Sequence, residues 1–280
     1  MEYIALNNGV RIPKLGFGVF RMDDAQVRAT VPAALESGYR LIDTASRYYN
    51  EKALGAALAE AGIPRKELFV TTKLWLKDHG QAKTKDAFQV SLDNLGLDYL
   101  DLYLIHQPFN DYYGAWRAME ELLDEGRVRA IGVSNFSTDR YFDLVSHSRV
   151  APTVNQIETH PLNQQVDAQA FMSEHGTVLQ AWGPLGQGSQ DVLTNETLAG
   201  IARAHGKTIS QVVLRWLVQR DAAIVVKSTR VERLRENIDV FDFRLTEEEM
   251  GAIAGLDRRQ SVVGFTHEDP RMLELLLTFE

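Results

Sequence analysis

Short apolar runs alternate with amphipathic segments along most of the chain, from residue 16 to residue 238. Each run is apolar at successive positions, which is typical of strands that are buried on both faces of a parallel sheet. The runs predict strands over residues 16–20, 40–45, 68–75, 99–107, 129–136, 152–158, 177–183 and 223–228.

A helical segment follows each predicted strand, and several of these segments end at a glycine, which commonly stops a helix. They predict helices over residues 24–37, 50–61, 82–95, 113–125, 139–147, 165–175, 195–220 and 231–238, with Gly206 breaking the seventh. Eight strand-then-helix units in 280 residues predict an α/β fold, a closed (β/α)8 TIM barrel.

The two ends of the chain extend this pattern. Residues 3–15 predict an N-terminal β-hairpin, because Asn8-Gly9 is a strong turn signal between two apolar stretches. Thr246 and the glutamates after it predict the start of an extra C-terminal helix that runs to Leu256. The tail over 258–280 is predicted to be irregular, either crossing the barrel mouth or wrapping the outside. Without a linker or a shift in composition, residues 1–280 predict a single domain.

Composition and charge narrow the classes of partner. The formal charge of −8 is mixed along the chain without a long basic run, which argues against nucleic acid and anionic membranes. The lack of cysteine excludes disulfides, thiolate metal sites and a cysteine nucleophile. No apolar run approaches the ~20 residues that span a bilayer, and the start MEYIALNNGV does not have the pattern of a signal peptide. We therefore expect a soluble cytoplasmic protein.

In such a barrel, functional side chains are expected where the strands end. The residues at those ends are Asp43, Lys73, His106, Ser134, Asn135, Gln156, Glu158, Trp182 and Lys227. Taken singly, each has a structural explanation; Asp43, for example, could cap a helix. Lys73, however, interrupts an apolar strand, and a buried lysine needs a paired charge, for which Asp43 is the nearest candidate. An acid, a lysine, a histidine and the loop residue Tyr48 on adjacent strands together indicate a catalytic site.

These residues lie in segments that resemble the aldo-keto reductase superfamily: DTASRYYNE, TTKLW, LIHQP, GVSNF, VNQIE, AWGPLGQG and VKSTRVERLREN. The resemblance covers nearly the whole chain, and its last two segments look most like the bacterial 2,5-diketo-D-gluconate reductase branch. It implies NADPH-dependent reduction of aldehydes, ketones or dicarbonyls to alcohols by a monomer. It also implies a catalytic tetrad of Asp43, Tyr48, Lys73 and His106.

The residue types of the implied tetrad suit carbonyl reduction, which needs a hydride on carbon and a proton on oxygen. A free tyrosine has a pKa of ~10 and donates poorly at neutral pH. We expect the ammonium of Lys73 to lower the pKa of Tyr48, with Asp43 holding the lysine charged and in place. His106 is expected to donate a hydrogen bond to the carbonyl oxygen and orient it.

The resemblance also implies residues that bind the nicotinamide cofactor. Trp182 would stack on the nicotinamide ring, while Ser134, Asn135 and Gln156 would bind its carboxamide. A glycine-rich loop would let the backbone approach the cofactor closely, through Gly183, Leu185, Gly186 and Gln187. Lys227, Ser228 and Arg233 would surround a 2′-phosphate, which favours NADPH over NADH. Glu236 and Asn237 would lie near the adenine.

Two positions depart from the family pattern. The tryptophan that usually follows the catalytic histidine is Gln107, and the proline that usually precedes the Lys-Ser pair is Val226. The change at Gln107 leaves the substrate open. The expected substrate pocket is largely aromatic and consists of Phe20, Tyr49, Trp75, His106, Gln107 and Phe109.

Three other functions compete with this interpretation. Tyr48 and Lys52 have the Tyr-x-x-x-Lys spacing of a short-chain dehydrogenase, but the eight units oppose its open sheet. Glu158 and His160 could hint at a metal-dependent barrel hydrolase, although no His-x-His pair is present. The third alternative is a reductase-like barrel that binds nucleotide without significant turnover, which the intact tetrad opposes.

Overall fold

A computed structural model describes residues 1–279, and its chain begins with a two-stranded antiparallel hairpin. Strands β1 (Tyr3–Ala5) and β2 (Arg11–Pro13) pair with Ile4 opposite Ile12. Gly9, at φ +82°, occupies the turn, a conformation that side chains with a Cβ rarely adopt. Leu6 and Ile12 pack against the first residues of several barrel strands, so the hairpin closes the amino-terminal end of the barrel.

Eight parallel strands then form a closed barrel, as predicted. They follow one another around the ring in chain order, and the last strand pairs with the first. The strands are β3 (Leu15–Gly18), β4 (Leu41–Asp43), β5 (Phe69–Leu74), β6 (Leu102–Ile105), β7 (Ile131–Ser134), β8 (Val154–Glu158), β9 (Val178–Trp182) and β10 (Ala223–Val226).

The helices surround the barrel and confirm the alternating pattern. They are α1 (Asp24–Glu36), α2 (Glu51–Glu60), α3 (Gln81–Leu95), α4 (Tyr112–Asp124), α5 (Thr138–Ser146), α6 (Val166–Glu174), α7 (Gln190–Leu193), α8 (Glu196–His205), α9 (Ile209–Gln219), α10 (Val231–Ile238), α11 (Glu247–Ala254) and α12 (Pro270–Leu277). Gly206 separates α8 from α9, as expected, and Thr246 caps α11 with a reciprocal bond to Glu249. Within residues 1–279, no helix is both long enough and apolar enough to cross a membrane.

Close packing between neighbouring helices depends on small residues. A Cβ built on Gly55 of α2 would lie 2.5 Å from the backbone oxygen of Leu95 at the end of α3. Because that obstacle is backbone, it cannot move aside as the tip of a side chain can. The absence of a side chain at Gly55 therefore sets how closely α2 approaches α3.

The C-terminal tail corrects one prediction, because it is not wholly irregular. It contains α12, which begins with Asp269 as its cap and Pro270 in its first turn. Met272 and Leu276 of α12 pack against Trp75 and Leu76, which follow the end of β5. The tail therefore crosses the barrel mouth and does not simply wrap the outside.

Candidate active site

Four side chains meet where β4, β5 and β6 end. Lys73 and Asp43 are buried and form an ion pair, with Lys73 Nζ 2.5 Å from Asp43 Oδ1. The lysine also donates to the carbonyl oxygen of Thr44 at 3.0 Å, and its Nζ lies 3.5 Å from the Tyr48 hydroxyl. The His106 ring lies 5.7 Å from the Tyr48 ring, centre to centre. The structure thus brings together all four residues of the expected tetrad.

A short 3₁₀ turn over Ser46–Tyr48 places the tyrosine beside the lysine. Ser46 Oγ donates to the carbonyl oxygen of Lys73 at 3.0 Å, which ties the turn to β5. Tyr49 then takes a left-handed conformation, φ +56°, and its side chain is 70% exposed. The two adjacent tyrosines consequently differ: Tyr48 points toward the ion pair, and Tyr49 stands at the rim.

The pKa of Tyr48 shifts in the opposite direction to the one expected from the sequence. Burial raises the pKa of Tyr48 well above its ordinary value, and the charge of Asp43 raises it further. The expected lowering of this pKa is not found in this structure, because burial and the carboxylate of Asp43 both act in the opposite direction. Tyr48 is therefore a neutral phenol at neutral pH, with its proton in place.

Burial is also the largest influence on the pKa values of Lys73 and His106. Burial lowers the pKa of Lys73, and Asp43 opposes that shift by its charge and hydrogen bond. Burial, followed by the charge of Lys73, lowers the pKa of His106 well below its ordinary value. His106 is therefore a neutral imidazole, which carries one N–H donor.

The amide residues predicted to bind the carboxamide lie next to the tetrad and bond to it. Asn135 Nδ2 donates to the carbonyl oxygen of His106 at 3.0 Å, and Ser134 Oγ donates to that of Gln156 at 2.8 Å. Trp182 Nε1 donates to Asn135 Oδ1 at 2.8 Å, which fixes the indole at the barrel mouth. These four residues form one hydrogen-bonded group between β7 and β9.

Gln156 also reaches across the barrel, a link that the sequence did not indicate. Its Nε2 donates to Asp43 Oδ2 at 2.9 Å and to Gln180 Oε1 at 2.8 Å. Gln180 was not among the predicted site residues, although a lone amide in the apolar run VLQAW could have signalled it. Asp43 is therefore held on both sides, by Lys73 and by Gln156.

The glycine-rich loop after β9 adopts left-handed backbone conformations, which favour glycine. Gly183, Gly186 and Gln187 all have positive φ, and an added Cβ at Gly186 would lie 3.0 Å from the Val192 side chain. Leu185, between them, is half-buried and packs on the core.

The other residues that were predicted to bind the cofactor lie after β10 and on α10. Lys227 and Arg233 are exposed cations. Ser228 is buried, and its Oγ accepts a hydrogen bond from the backbone N–H of Arg230 at 3.0 Å. Asn237 is buried, whereas Glu236 is half-buried and accepts from Thr208 Oγ1 at 2.7 Å.

These features fit a nicotinamide dinucleotide. Trp182 is half-buried at the mouth and offers a ring face. Gln156 Oε1 accepts no hydrogen bond within residues 1–279, so it can receive one from a carboxamide. The exposed cations Lys227 and Arg233 suit a phosphate.

Aromatic rings lie close to the tetrad where the substrate pocket was predicted. The Phe20 ring lies 5.0 Å from the Tyr48 ring, and the Trp75 ring lies 5.2 Å from the His106 ring. Gln107 is buried, and its Oε1 has no hydrogen-bond partner within the described chain. Phe109 is half-buried and packs against the apolar contact between α12 and the residues Trp75 and Leu76.

The tail supplies further lining residues that were not predicted. A cleft of about 270 Å³ lies between Trp182 and the tail, and Phe265, His267 and Met272 line its tail side. Burial lowers the pKa of His267 to about 4, and its ring stacks on Phe109 at 6.4 Å. The signal in the sequence was the group FTH directly before the charged pair Glu268-Asp269.

Glu158, one of the strand-end residues, holds the tail in place. Its Oε1 accepts from the backbone N–H of Val262 at 2.7 Å and from His160 Nε2 at 3.0 Å, and its Oε2 accepts from Ser261 Oγ at 2.7 Å. Burial by itself would raise the pKa of Glu158, but the hydrogen bonds hold it below its ordinary value. In the part of the chain that the structure covers, no three His, Asp or Glu side chains are grouped to hold a metal ion.

Comparisons with known proteins agree with this geometry. The sequence model of the Aldo/keto reductase family matches residues 14–258. A 9,11-endoperoxide prostaglandin H2 reductase of Trypanosoma cruzi is 45% identical over 264 residues, covering 93% of each chain. A glyoxal reductase of Bacillus subtilis is 43% identical over 263 residues, covering 93% of this chain and 95% of its own. A crystal structure of a Bombyx mori aldo-keto reductase in complex with NADP superimposes with a TM-score of 0.89 at 38% identity, covering 93% of this chain and 94% of its own.

Proposed function

The chain belongs to the aldo/keto reductase family and is an oxidoreductase, and on this premise we propose that it reduces aldehydes, ketones or dicarbonyls to alcohols with NADPH. The observation that carries the proposal is the buried Asp43–Lys73 pair next to the half-buried Tyr48, with His106 facing the same phenol. These groups supply a proton and a hydrogen bond to one point at the barrel mouth, which is what a carbonyl oxygen requires during reduction.

Each residue of the tetrad has a separate task in this proposal. Bound nicotinamide would supply the hydride to the carbonyl carbon. Tyr48 donates its proton to the carbonyl oxygen, and neutral His106 donates a hydrogen bond that orients the same oxygen. The Lys73 ammonium, 3.5 Å from the hydroxyl, stabilises the phenolate as the proton leaves. Lys73 therefore acts on the transition state, because in the resting site Tyr48 keeps its proton.

The cofactor assignment follows from the residues around Trp182 and α10. Trp182 would stack on the nicotinamide, while Ser134, Asn135 and Gln156 would bind its carboxamide. Lys227 and Arg233 are exposed and positively charged, so they would favour the 2′-phosphate of NADPH over the hydroxyl of NADH. The branch within the family, the monomeric state and the cytoplasmic location stay predictions.

The test is a panel of carbonyl compounds that includes a simple aromatic aldehyde and glyoxal, assayed with NADPH and with NADH. We expect NADPH-dependent reduction, and we expect Tyr48→Phe to lower kcat by at least about a hundredfold because the proton donor is lost. Quenching of protein fluorescence should show that NADPH still binds to this variant.

Two results of the panel would contradict the proposal. Near-normal turnover by Tyr48→Phe would exclude the tyrosine as the acid. NADPH binding by the unaltered protein without reduction of any carbonyl compound would favour the nucleotide-binding alternative.

A further inference from the structure

Arg47 is exceptional among the arginines that are shielded from solvent. The arginines that are buried or half-buried are Arg40, Arg47, Arg65, Arg127, Arg140, Arg215 and Arg220. All except Arg47 donate hydrogen bonds to carbonyl, amide or carboxylate oxygens. Within residues 1–279, Arg47 has neither a hydrogen bond nor an ion pair, and its Nε is buried without a partner. Arg65 and Arg220 also have one buried nitrogen without a partner, but their other nitrogens bond to oxygens. The half-buried Arg47 therefore differs in that its whole guanidinium is available to bind a ligand.

Aromatic rings hold the Arg47 side chain in position. Its Cζ lies 4.6 Å from the centre of the Tyr49 ring, 5.7 Å from that of Trp75 and 5.6 Å from that of Phe279. Contacts with ring faces fix a guanidinium while leaving its N–H groups free to donate in their own plane. The charge is therefore positioned and still able to bind an anion.

This charge lies beside the catalytic groups. Arg47 immediately precedes Tyr48 in the 3₁₀ turn, and the Trp75 ring that it contacts is also 5.2 Å from the His106 ring. After burial and the nearer charges, Arg47 contributes to the low pKa of His106. One small molecule could therefore present its carbonyl group to Tyr48 and a second group to Arg47.

The rim of the mouth carries other arginines on the predicted pocket aromatics. Arg21 lies over Phe20 at 5.1 Å, and Arg140 lies over Phe109 at 4.9 Å. Carboxylates line the cleft beside Trp182 as well, among them Glu158, Asp257 and Glu268. The arginines therefore matter as individual binding groups and not as a general positive field.

We propose that the enzyme selects carbonyl substrates that carry an oxyanion group, a carboxylate or a phosphate, and that Arg47 binds this group. The inference rests on the proposed reductase function. A guanidinium matches either group because its planar N–H fork can donate two parallel hydrogen bonds to two oxygens.

The test compares substrates that differ only in charge. With NADPH, kcat/KM is measured for 4-carboxybenzaldehyde against 4-formylbenzamide, and for glyceraldehyde 3-phosphate against glyceraldehyde. We expect at least one anionic compound to be preferred by about tenfold or more. The first pair isolates the carboxylate and the second isolates the phosphate.

Variants then assign the preference to one residue. Arg47→Met should abolish the preference by lowering kcat/KM for the anionic aldehydes far more than for the neutral aldehydes. Arg117→Met removes the same charge from an exposed position on α4 and should leave both values unchanged. Should Arg47→Met fail to fold, raising the salt concentration with unaltered protein should lower kcat/KM for the anionic compounds alone.

Three other results would contradict the inference or the reductase function on which it rests. Equal kcat/KM for anionic and neutral compounds in the unaltered enzyme would overturn the inference. So would an equal loss of both in Arg47→Met, since that would mean a structural role. If none of the aldehydes is reduced, the proposed reductase function itself fails, and this inference fails with it.

Discussion

Replacing Asp43 by asparagine should destabilise the protein strongly, because it leaves a buried ammonium without its counter-charge. Lys73 is fully buried, and Asp43 provides the only carboxylate paired with it in the described chain. The substitution keeps the shape of the side chain. It therefore tests the charge and leaves packing almost unchanged.

The expected loss follows from the contacts. Breaking a buried ion pair by removing one partner typically costs about 3–5 kcal/mol in the free energy of unfolding. The carbonyl oxygen of Thr44 still accepts from Lys73 at 3.0 Å, which reduces the loss. The new amide N–H₂ would face Gln156 Nε2 across the 2.9 Å now bridged by a hydrogen bond, which adds to it. We expect a net loss within that range.

The effect of pH on the stability of the Asp43→Asn variant has a defined sign. Burial already lowers the pKa of Lys73 from 10.5, and Asp43 opposes this shift, so Asp43→Asn should lower the pKa further. Between the folded and unfolded pKa values the unfolded chain then binds more protons, so raising the pH stabilises the folded variant. The gain is at most about 1.4 kcal/mol per pH unit over that interval, so the difference from the unaltered protein should shrink with rising pH.

The assay is urea unfolding of the unaltered protein and the variant at roughly pH 7 and roughly pH 9. Adding Lys73→Met to Asp43→Asn removes the unpaired charge and should recover at least about half of the lost free energy. A loss below about 1 kcal/mol, or a deficit that grows as the pH rises, would refute the reasoning.

Three further predictions concern packing, the tail and the cofactor. Gly55→Ala should lower the free energy of unfolding by about 1–3 kcal/mol, because its Cβ would lie 2.5 Å from backbone. Gly251→Ala is the control, at a helical site with open space around it, and should raise the free energy of unfolding by up to about 1 kcal/mol. Urea unfolding measures both. Glu158→Gln should increase trypsin cleavage in the tail and raise KM for carbonyl substrates, since a neutral amide has only one oxygen for the donors that Glu158 now binds. Arg233→Ala should raise KM for NADPH far more than for NADH, while Arg235→Ala, also exposed on α10, should change neither.

Each of these has an outcome that contradicts it. Equal changes in the free energy of unfolding for Gly55→Ala and Gly251→Ala would show that contact with α3 does not exclude a side chain at residue 55. Unchanged cleavage of the tail would mean that Glu158 does not anchor it. Proportional changes in KM for both cofactors would remove the phosphate role of Arg233.

The sequence by itself determined the barrel fold and the end of the barrel at which the candidate catalytic residues lie. The alternation of apolar runs and helical segments is a local property, and eight repeats of it leave few folds available. Because parallel strands bring their carboxyl ends to one rim, the placement of Asp43, Lys73 and His106 at strand ends already implied that they meet.

Only the tertiary structure decided which side chains bond to those residues, which segment covers them and how their pKa values shift. The bond from Gln156 to Asp43 crosses the barrel interior, and no local pattern indicates which side chains meet there. The apolar residues of α12 have their partners after β5, far away in the chain, so the sequence left open whether the tail crosses the mouth or wraps the outside. The pKa of Tyr48 depends on burial and on the pairing of Lys73, both of which are properties of the folded chain.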